Sequence, residues 1–237
     1  MPKINTSIRS IHPTKTTIHR KHSIHRKRFE PYFVSCVYLC IMFTEQQQKW
    51  LKQTQALFLK YGIKSMTMDD VARELGISKK TLYQFVENKD DLVLKMLKFH
   101  IEIEKKQCEE QFSQTNNAIE EIMMVIEMNA KELQQMKSNI VYDLQRYHRD
   151  AWTIMAEYQQ GFMYHVVRRN LERGIAEGLY RSDINVDVMT KIHIATSFVL
   201  FDETLFPSSE YSKVTIFKEY LLHYLHGVVS EKGKKMI

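Results

Sequence analysis

MTMDDVARELGISKKTLYQFVENKDDL, residues 66 to 92, is the stretch whose reading decides the fold. Thr67 stands where an N-cap belongs, and Asp70 three positions later makes a capping box with aspartate in place of glutamate. Val71, Ala72 and Leu75 give the short helix that follows an apolar side. Ala72 is small enough for a second axis to cross closely, and Gly76, four residues on, supplies the backbone freedom of a tight turn. Ile77 plugs back toward the core, and Ser78 caps a further helix running to about Val86, with Leu82 and either Phe85 or Val86 turned inward. Asn88 caps the next helix, with Asp90 and Asp91 in its first turn, where the helix dipole favours acids. Two short helices across a glycine turn form a helix-turn-helix, and its second helix keeps Lys79, Lys80, Thr81, Tyr83 and Gln84 on the outer face. Those side chains hydrogen-bond phosphates or base edges, although packed helices with a solvated polar face can show the same spacing.

Upstream, residues 44 to 61 form a helix that Thr44 caps and Gly62 ends, with Trp50, Leu51, Ala56, Leu57 and Phe58, and the Thr54 methyl between them, on one face. Downstream, the helix begun at Asn88 runs to Phe112, apolar near Leu94, Leu97 and Ile101. Further amphipathic segments are expected at about 117–137, 139–147, 150–174, 186–206 and 212–229. The four prolines are Pro2, Pro13, Pro31 and Pro207, so no proline interrupts Tyr32 to Phe206, as suits an all-α chain.

The string resembles the DNA-binding signature of the TetR family of transcriptional regulators. The likeness lies in the threonine opening the second helix, Val-Ala within it and Leu-Gly-Ile-Ser across the turn. Thr-Leu-Tyr in the third helix and Asn-Lys-x-x-Leu opening the fourth complete it. The resemblance implies phosphate contacts from Tyr83, Lys89, Thr67 and Ser78, and implies that Lys79, Lys80, Thr81 and Gln84 face bases or nearby backbone. Lys80 stands where the family often has a small residue and Phe85 where it usually has His or Tyr, so the resemblance carries over the docking mode but not the operator sequence or the detailed contacts. The resemblance also implies an N-terminal three-helix head and a C-terminal helical ligand-binding and dimerisation domain, with 186–206 and 212–229 forming the dimer's four-helix bundle. It implies a repressor that binds double-stranded DNA at a pseudo-palindromic operator as a homodimer and is released by a small-molecule effector.

The expected organisation is an extension at 1–43, a head at 44–92 and a regulatory and dimerisation domain at 93–237. The net charge of +6 is no DNA signature by itself: residues 1–43 carry +7, leaving the rest at −1. Residues 1–30 are basic and rich in Thr, Ser and His, and 31–43 (PYFVSCVYLCIMF) are almost wholly apolar. The expectation is a disordered extension or a mis-assigned start, with Met42 as the alternative; a basic arm on DNA and a membrane anchor are the rivals. The apolar run is shorter than the roughly 20 residues a helical span needs.

Met and aromatic groups concentrate at Met124, Met128, Tyr142, Tyr147, Trp152, Met155, Tyr158 and Phe162, which suit an adaptable ligand cavity and equally suit plain core. His223 and His226 lie i, i+3 without a third ligand, and no phosphate loop, nucleophile elbow or paired-cysteine motif is present, so neither metal nor cofactor is expected. Three cysteines without a disulfide framework fit a reducing cytoplasm. The competing reading is a helical enzyme or cofactor-binding bundle whose N-terminal part docks a partner.

Overall fold

The computed structural model describes residues 43–136 and 139–237; the extension expected at 1–43 lies outside them except for Phe43. The helices run α1 (Glu45–Tyr61), α2 (Met68–Glu74), α3 (Lys79–Phe85), α4 (Lys89–Phe112), α5 (Ala118–Gln135), α6 (Ile140–Tyr147) and α7 (Arg149–Tyr158). A π-helical turn at Gln159–Met163 leads into α8 (Tyr164–Ala176), followed by α9 (Val186–Val199) and α10 (Lys213–Val228). The fold is all-α, with no strand among the described residues beyond an isolated bridge between Tyr180 and Val229.

Each cap read from sequence at the head is made. Thr44 and Gln47 close a capping box on α1, and Thr67 and Asp70 close one on α2. Ser78 accepts from Thr81 N–H, and Asn88 accepts from Asp91 N–H. Gly76 takes φ +68°, a conformation costly for any residue with a Cβ, so the turn needs glycine. The expected apolar face of α1 is corrected in register. Leu51, Thr54 and Phe58 are buried, whereas Ala56 is exposed. Burial at i, i+3, i+7 follows the helix period and takes in the expected Thr54 methyl, while Ala56 falls off that face. Phe43, counted with the extension by sequence, packs its ring edge-on against Phe85 and Phe99 at 6.0 and 6.1 Å.

The head core of Leu51, Phe58, Val71, Ala72, Leu82 and Val86 is continuous with that of α4 through Leu92, Val93 and Met96. The boundary expected at 92/93 therefore falls inside one helix. At roughly 1.5 Å per residue, the 24 residues of α4 reach about 36 Å, enough to join the head to the far side of the body. In the body, α4 packs on α7, α5 on α8 and α10, and α9 on α8. The segment expected as one helix at 150–174 is α7, the π turn and α8. The one expected at 186–206 stops at Val199, before the turns that precede Pro207.

A second core closes the body around Ala118, Leu171, Tyr180, Leu225 and Val228. Glu121, Asn170 and Tyr180 lie within it, each nearly solvent-free. Arg173 donates to Glu121 at 2.6 Å and to Glu177 at 2.7 Å, and Asn170 donates to Glu121 at 2.7 Å and to the Ala118 carbonyl at 2.9 Å. The Tyr180 hydroxyl donates to the same carbonyl at 3.1 Å, so α5 and α8 are bolted together by satisfied polar groups.

Candidate nucleic-acid interface and effector groove

The residues predicted on α3 share its outer face. Leu82 and Val86 fix α3 from behind at 0% and 2% exposure, and this turns Lys79, Lys80, Tyr83 and Gln84 outward, with Thr81 half-buried. Lys79 pairs with Asp69 of α2 at 2.7 Å, both side chains well exposed, so this ion pair contributes little and opens readily to another anion. The Ser78 hydroxyl lies 2.8 Å from that of Thr81.

Thr67 is committed to its cap. Asp70 accepts from the Thr67 N–H at 3.1 Å and from its hydroxyl at 2.6 Å. These bonds, with a further one from Arg73, hold the Asp70 carboxyl at about 2, below its ordinary 3.8. Because the folded value is depressed, the cap's contribution is complete above the unfolded value and is lost as pH falls through about 2. An NMR titration of wild type should place Asp70 near 2, and Thr67→Val should move it toward the ordinary ~3.9. A wild-type midpoint near 4 would contradict the cap.

Lys89 is half-buried, not splayed outward. Its Nζ lies 3.5 Å from the Lys64 carbonyl, and burial draws its pKa down while Asp143 and Asp90 oppose the shift. Phe85 explains its own departure from the family pattern: it packs against Trp50 at 5.9 Å and under the Lys95 ammonium, so it serves the head core.

The head meets the body through α6. Buried Asp143 accepts from the Lys64 N–H at 3.0 Å, and Lys64 Nζ donates to the Tyr147 hydroxyl at 3.1 Å. His148, between α6 and α7, sits with Nδ1 2.6 Å from the Asp90 carboxylate in the first turn of α4. The imidazole is buried, and its contact is to the head.

The predicted pocket residues divide. Tyr158 and Phe162 are buried and stacked at 5.7 Å, where the π turn brings them onto one side. With Ile101 and Glu102 of α4 and Ile154 of α7, they floor a groove of about 340 Å³, rimmed by Lys98 and Lys105. Met124, Trp152 and Met155 pack half-buried against the neighbouring core, and Met128 is half-buried. Tyr142 and Tyr147 do not join them: they are 57% and 45% exposed on α6, paired with each other at 6.3 Å. Sequence missed the α4 side of the groove because Lys98, Glu102 and Lys105 read as a solvated face. The Tyr158 hydroxyl is buried beside the Glu104 carboxyl, and the adjoining Gln159 side-chain carbonyl is buried without a hydrogen-bond partner, the kind of polar atom a ligand or water satisfies. π turns recur at such sites.

Among the described residues, no group of three His, Cys, Asp or Glu is placed to hold a metal ion, and His223 and His226 are exposed. Cys108 is buried as a free thiol, pushed up to about 12 by burial, and so is unreactive near neutral pH. No described helix is long and apolar enough to cross a membrane.

Residues 51–96, which run from within α1 to the first turns of α4, match the family model described as bacterial regulatory proteins, tetR family. By that match the head is a TetR-type DNA-binding domain. It is 32% identical over 104 residues to the uncharacterized HTH-type transcriptional regulator YvaF of Bacillus subtilis (strain 168), a match covering 43% of this chain and 54% of that relative. The matched stretch thus spans about half the length of that relative. Among solved structures, a transcriptional regulator of Saccharomonospora viridis in complex with choline superposes with a TM-score of 0.64 at 16% identity. That match covers 78% of this chain and 98% of the regulator. FadR of Bacillus subtilis in complex with stearoyl-CoA superposes with a TM-score of 0.58 at 16% identity, covering 75% and 97%. At such identities these two show the fold: a helix-turn-helix head on an all-helical body. All three are named as transcriptional regulators.

Proposed function

We propose that the protein is a ligand-responsive transcriptional regulator, a repressor that binds a pseudo-palindromic operator as a homodimer. The head would comprise residues 44–92 and the regulatory and dimerisation body 93–237. The observation that carries this reading is α3: a seven-residue helix locked from behind by Leu82 and Val86, with its basic and hydroxyl-bearing face in solvent. A helix so presented fits a major groove, where Lys79, Lys80, Thr81 and Gln84 reach base edges or nearby backbone. Tyr83 would hold a phosphate beside it, as would Ser78 at its helix end, and Thr67 would do so only by turning its hydroxyl away from Asp70.

Dimerisation is supported by α9. It exposes Val188, Ile192, Ala195 and Val199 at i, i+4, i+7 and i+11, an apolar stripe suited to burial against a partner helix. Two heads so joined would set their α3 helices about 34 Å apart, one turn of duplex.

The effector would enter the groove floored by Tyr158 and Phe162. Because Ile101 and Glu102 of that groove and Lys89 of the head lie on one helix, a ligand that displaced α4 would shift the head against its α6 ties. Coupling of that kind amounts to ~1–3 kcal/mol. The choline and stearoyl-CoA of the two solved regulators show no common chemistry from which this effector could be named.

Gel-shift titrations test the DNA contacts. Tyr83→Ala and Lys89→Ala should weaken binding to every duplex, specific or not, and Lys89→Ala should also reduce the salt dependence by about one counterion. For Lys89 to do this, its ammonium must swing out of the junction with Lys64. Unchanged affinity in either variant would remove that residue from the interface.

A further inference from the structure

The tyrosines that left the effector groove stand on another surface. Tyr142, Arg146 and Tyr147 of α6 are exposed next to Lys64, itself exposed, and Lys60 and Tyr61 at the end of α1 are exposed as well. The Lys64 ammonium lies 4.7 Å above the Tyr147 ring in addition to bonding its hydroxyl, and Lys60 sits 4.8 Å from the Tyr61 ring. The hydroxyl partners push both lysines up, so both stay charged. The patch is continuous with the face assigned to DNA: the Lys64 carbonyl receives Lys89, and Tyr147 borders the same cleft as Asn88 and Asp90 at the start of α4. Three neighbouring carboxylates are engaged, Asp143 beneath the Lys64 N–H, Asp90 on His148 and Asp91 on Lys95, while Glu87 and Asp150 line the far part of that cleft beside Arg149 and Glu74 faces Lys60.

We propose that Lys64, Arg146, Tyr142 and Tyr147, with Lys60 and Tyr61 beside them, form a second DNA contact that holds the phosphate backbone flanking the half-site read by α3. It rests on the DNA-binding reading and extends it from the head onto the body. The chemistry fits a backbone and not base edges. Ammonium and guanidinium groups pair with phosphate, and tyrosine hydroxyls donate to phosphate oxygens without sequence preference. It also gives α6 two tasks, since the helix that ties the body to the head would itself touch the duplex.

Two duplexes carrying the same selected site test this, one trimmed at the outer edges of the half-sites and one extended by a full turn at each end. Wild type should bind the extended duplex more tightly. The double variant Lys64→Gln/Arg146→Gln should lose about 5- to 20-fold on the extended duplex, with the salt slope lowered by roughly two. It should match wild type on the trimmed one. Tyr147→Phe keeps the ring under Lys64 and should show a smaller loss, again confined to the extended duplex; circular dichroism and melting verify the fold of each variant. Equal wild-type affinity for both duplexes would overturn the proposal. So would equal losses on both, because the residues would then act only through the junction. If wild type binds neither duplex, the DNA-binding reading itself fails and this surface fails with it.

Discussion

Arg173→Met is expected to lower the free energy of unfolding by about 3–5 kcal/mol, the usual cost of stranding a buried charge. Glu121 keeps only 4% of its side-chain surface, and Arg173 meets it at 2.6 Å while also donating to Glu177 and to the Thr115 side chain and carbonyl. Methionine fills much of the space and removes every donor. The Glu121 carboxylate then retains Asn170 at 2.7 Å and the more distant Arg169 at 3.7 Å. Adding Glu121→Gln should restore part of the loss, because a neutral amide still accepts from Asn170 and leaves no charge behind. Denaturant unfolding at fixed protein concentration measures both. A single-variant loss under about 1 kcal/mol would show that the ion pair is not what fastens α8 to α5.

Leu82→Ala should cost about 2–5 kcal/mol and should abolish DNA binding under conditions where much of the body is still folded. Leu82 is fully buried and is the residue that seats α3 on Leu51, Val71 and Ala72. A helix of seven residues has no stability of its own, so its conformation is borrowed from that contact. The control is Lys80→Ala, exposed on the same helix, which should alter DNA affinity while leaving stability within about 0.5 kcal/mol. If Leu82→Ala bound DNA with wild-type affinity, α3 would not be the reading element.

The head was legible because its signals are local. Thr44, Thr67, Ser78 and Asn88 announce helix starts through chemistry confined to three or four residues, and Gly76 announces a positive φ that the turn requires. What escaped depends on partners distant in sequence. Glu121, Asn170 and Arg173 read as polar faces of two helices; their burial follows only once α5 lies on α8. Lys98, Glu102 and Lys105 read as solvated until α7 covers one side of α4. Tyr142 and Tyr147 read as cavity aromatics by composition, yet α6 is short and turns them out, toward Lys64, which lies some eighty residues earlier. The π turn leaves no trace in spacing either, although it sets the stacked pair at Tyr158 and Phe162.

The reading places two α3 helices of a dimer in successive major grooves of one duplex. Selecting the DNA bound by purified full-length protein from a random-sequence pool tests that claim most directly. An inverted repeat should be enriched, its half-site centres about one helical turn, ~34 Å, apart, and the Leu82→Ala variant should enrich none. Enrichment of nothing by wild type, or of a site without two-fold symmetry, would contradict it.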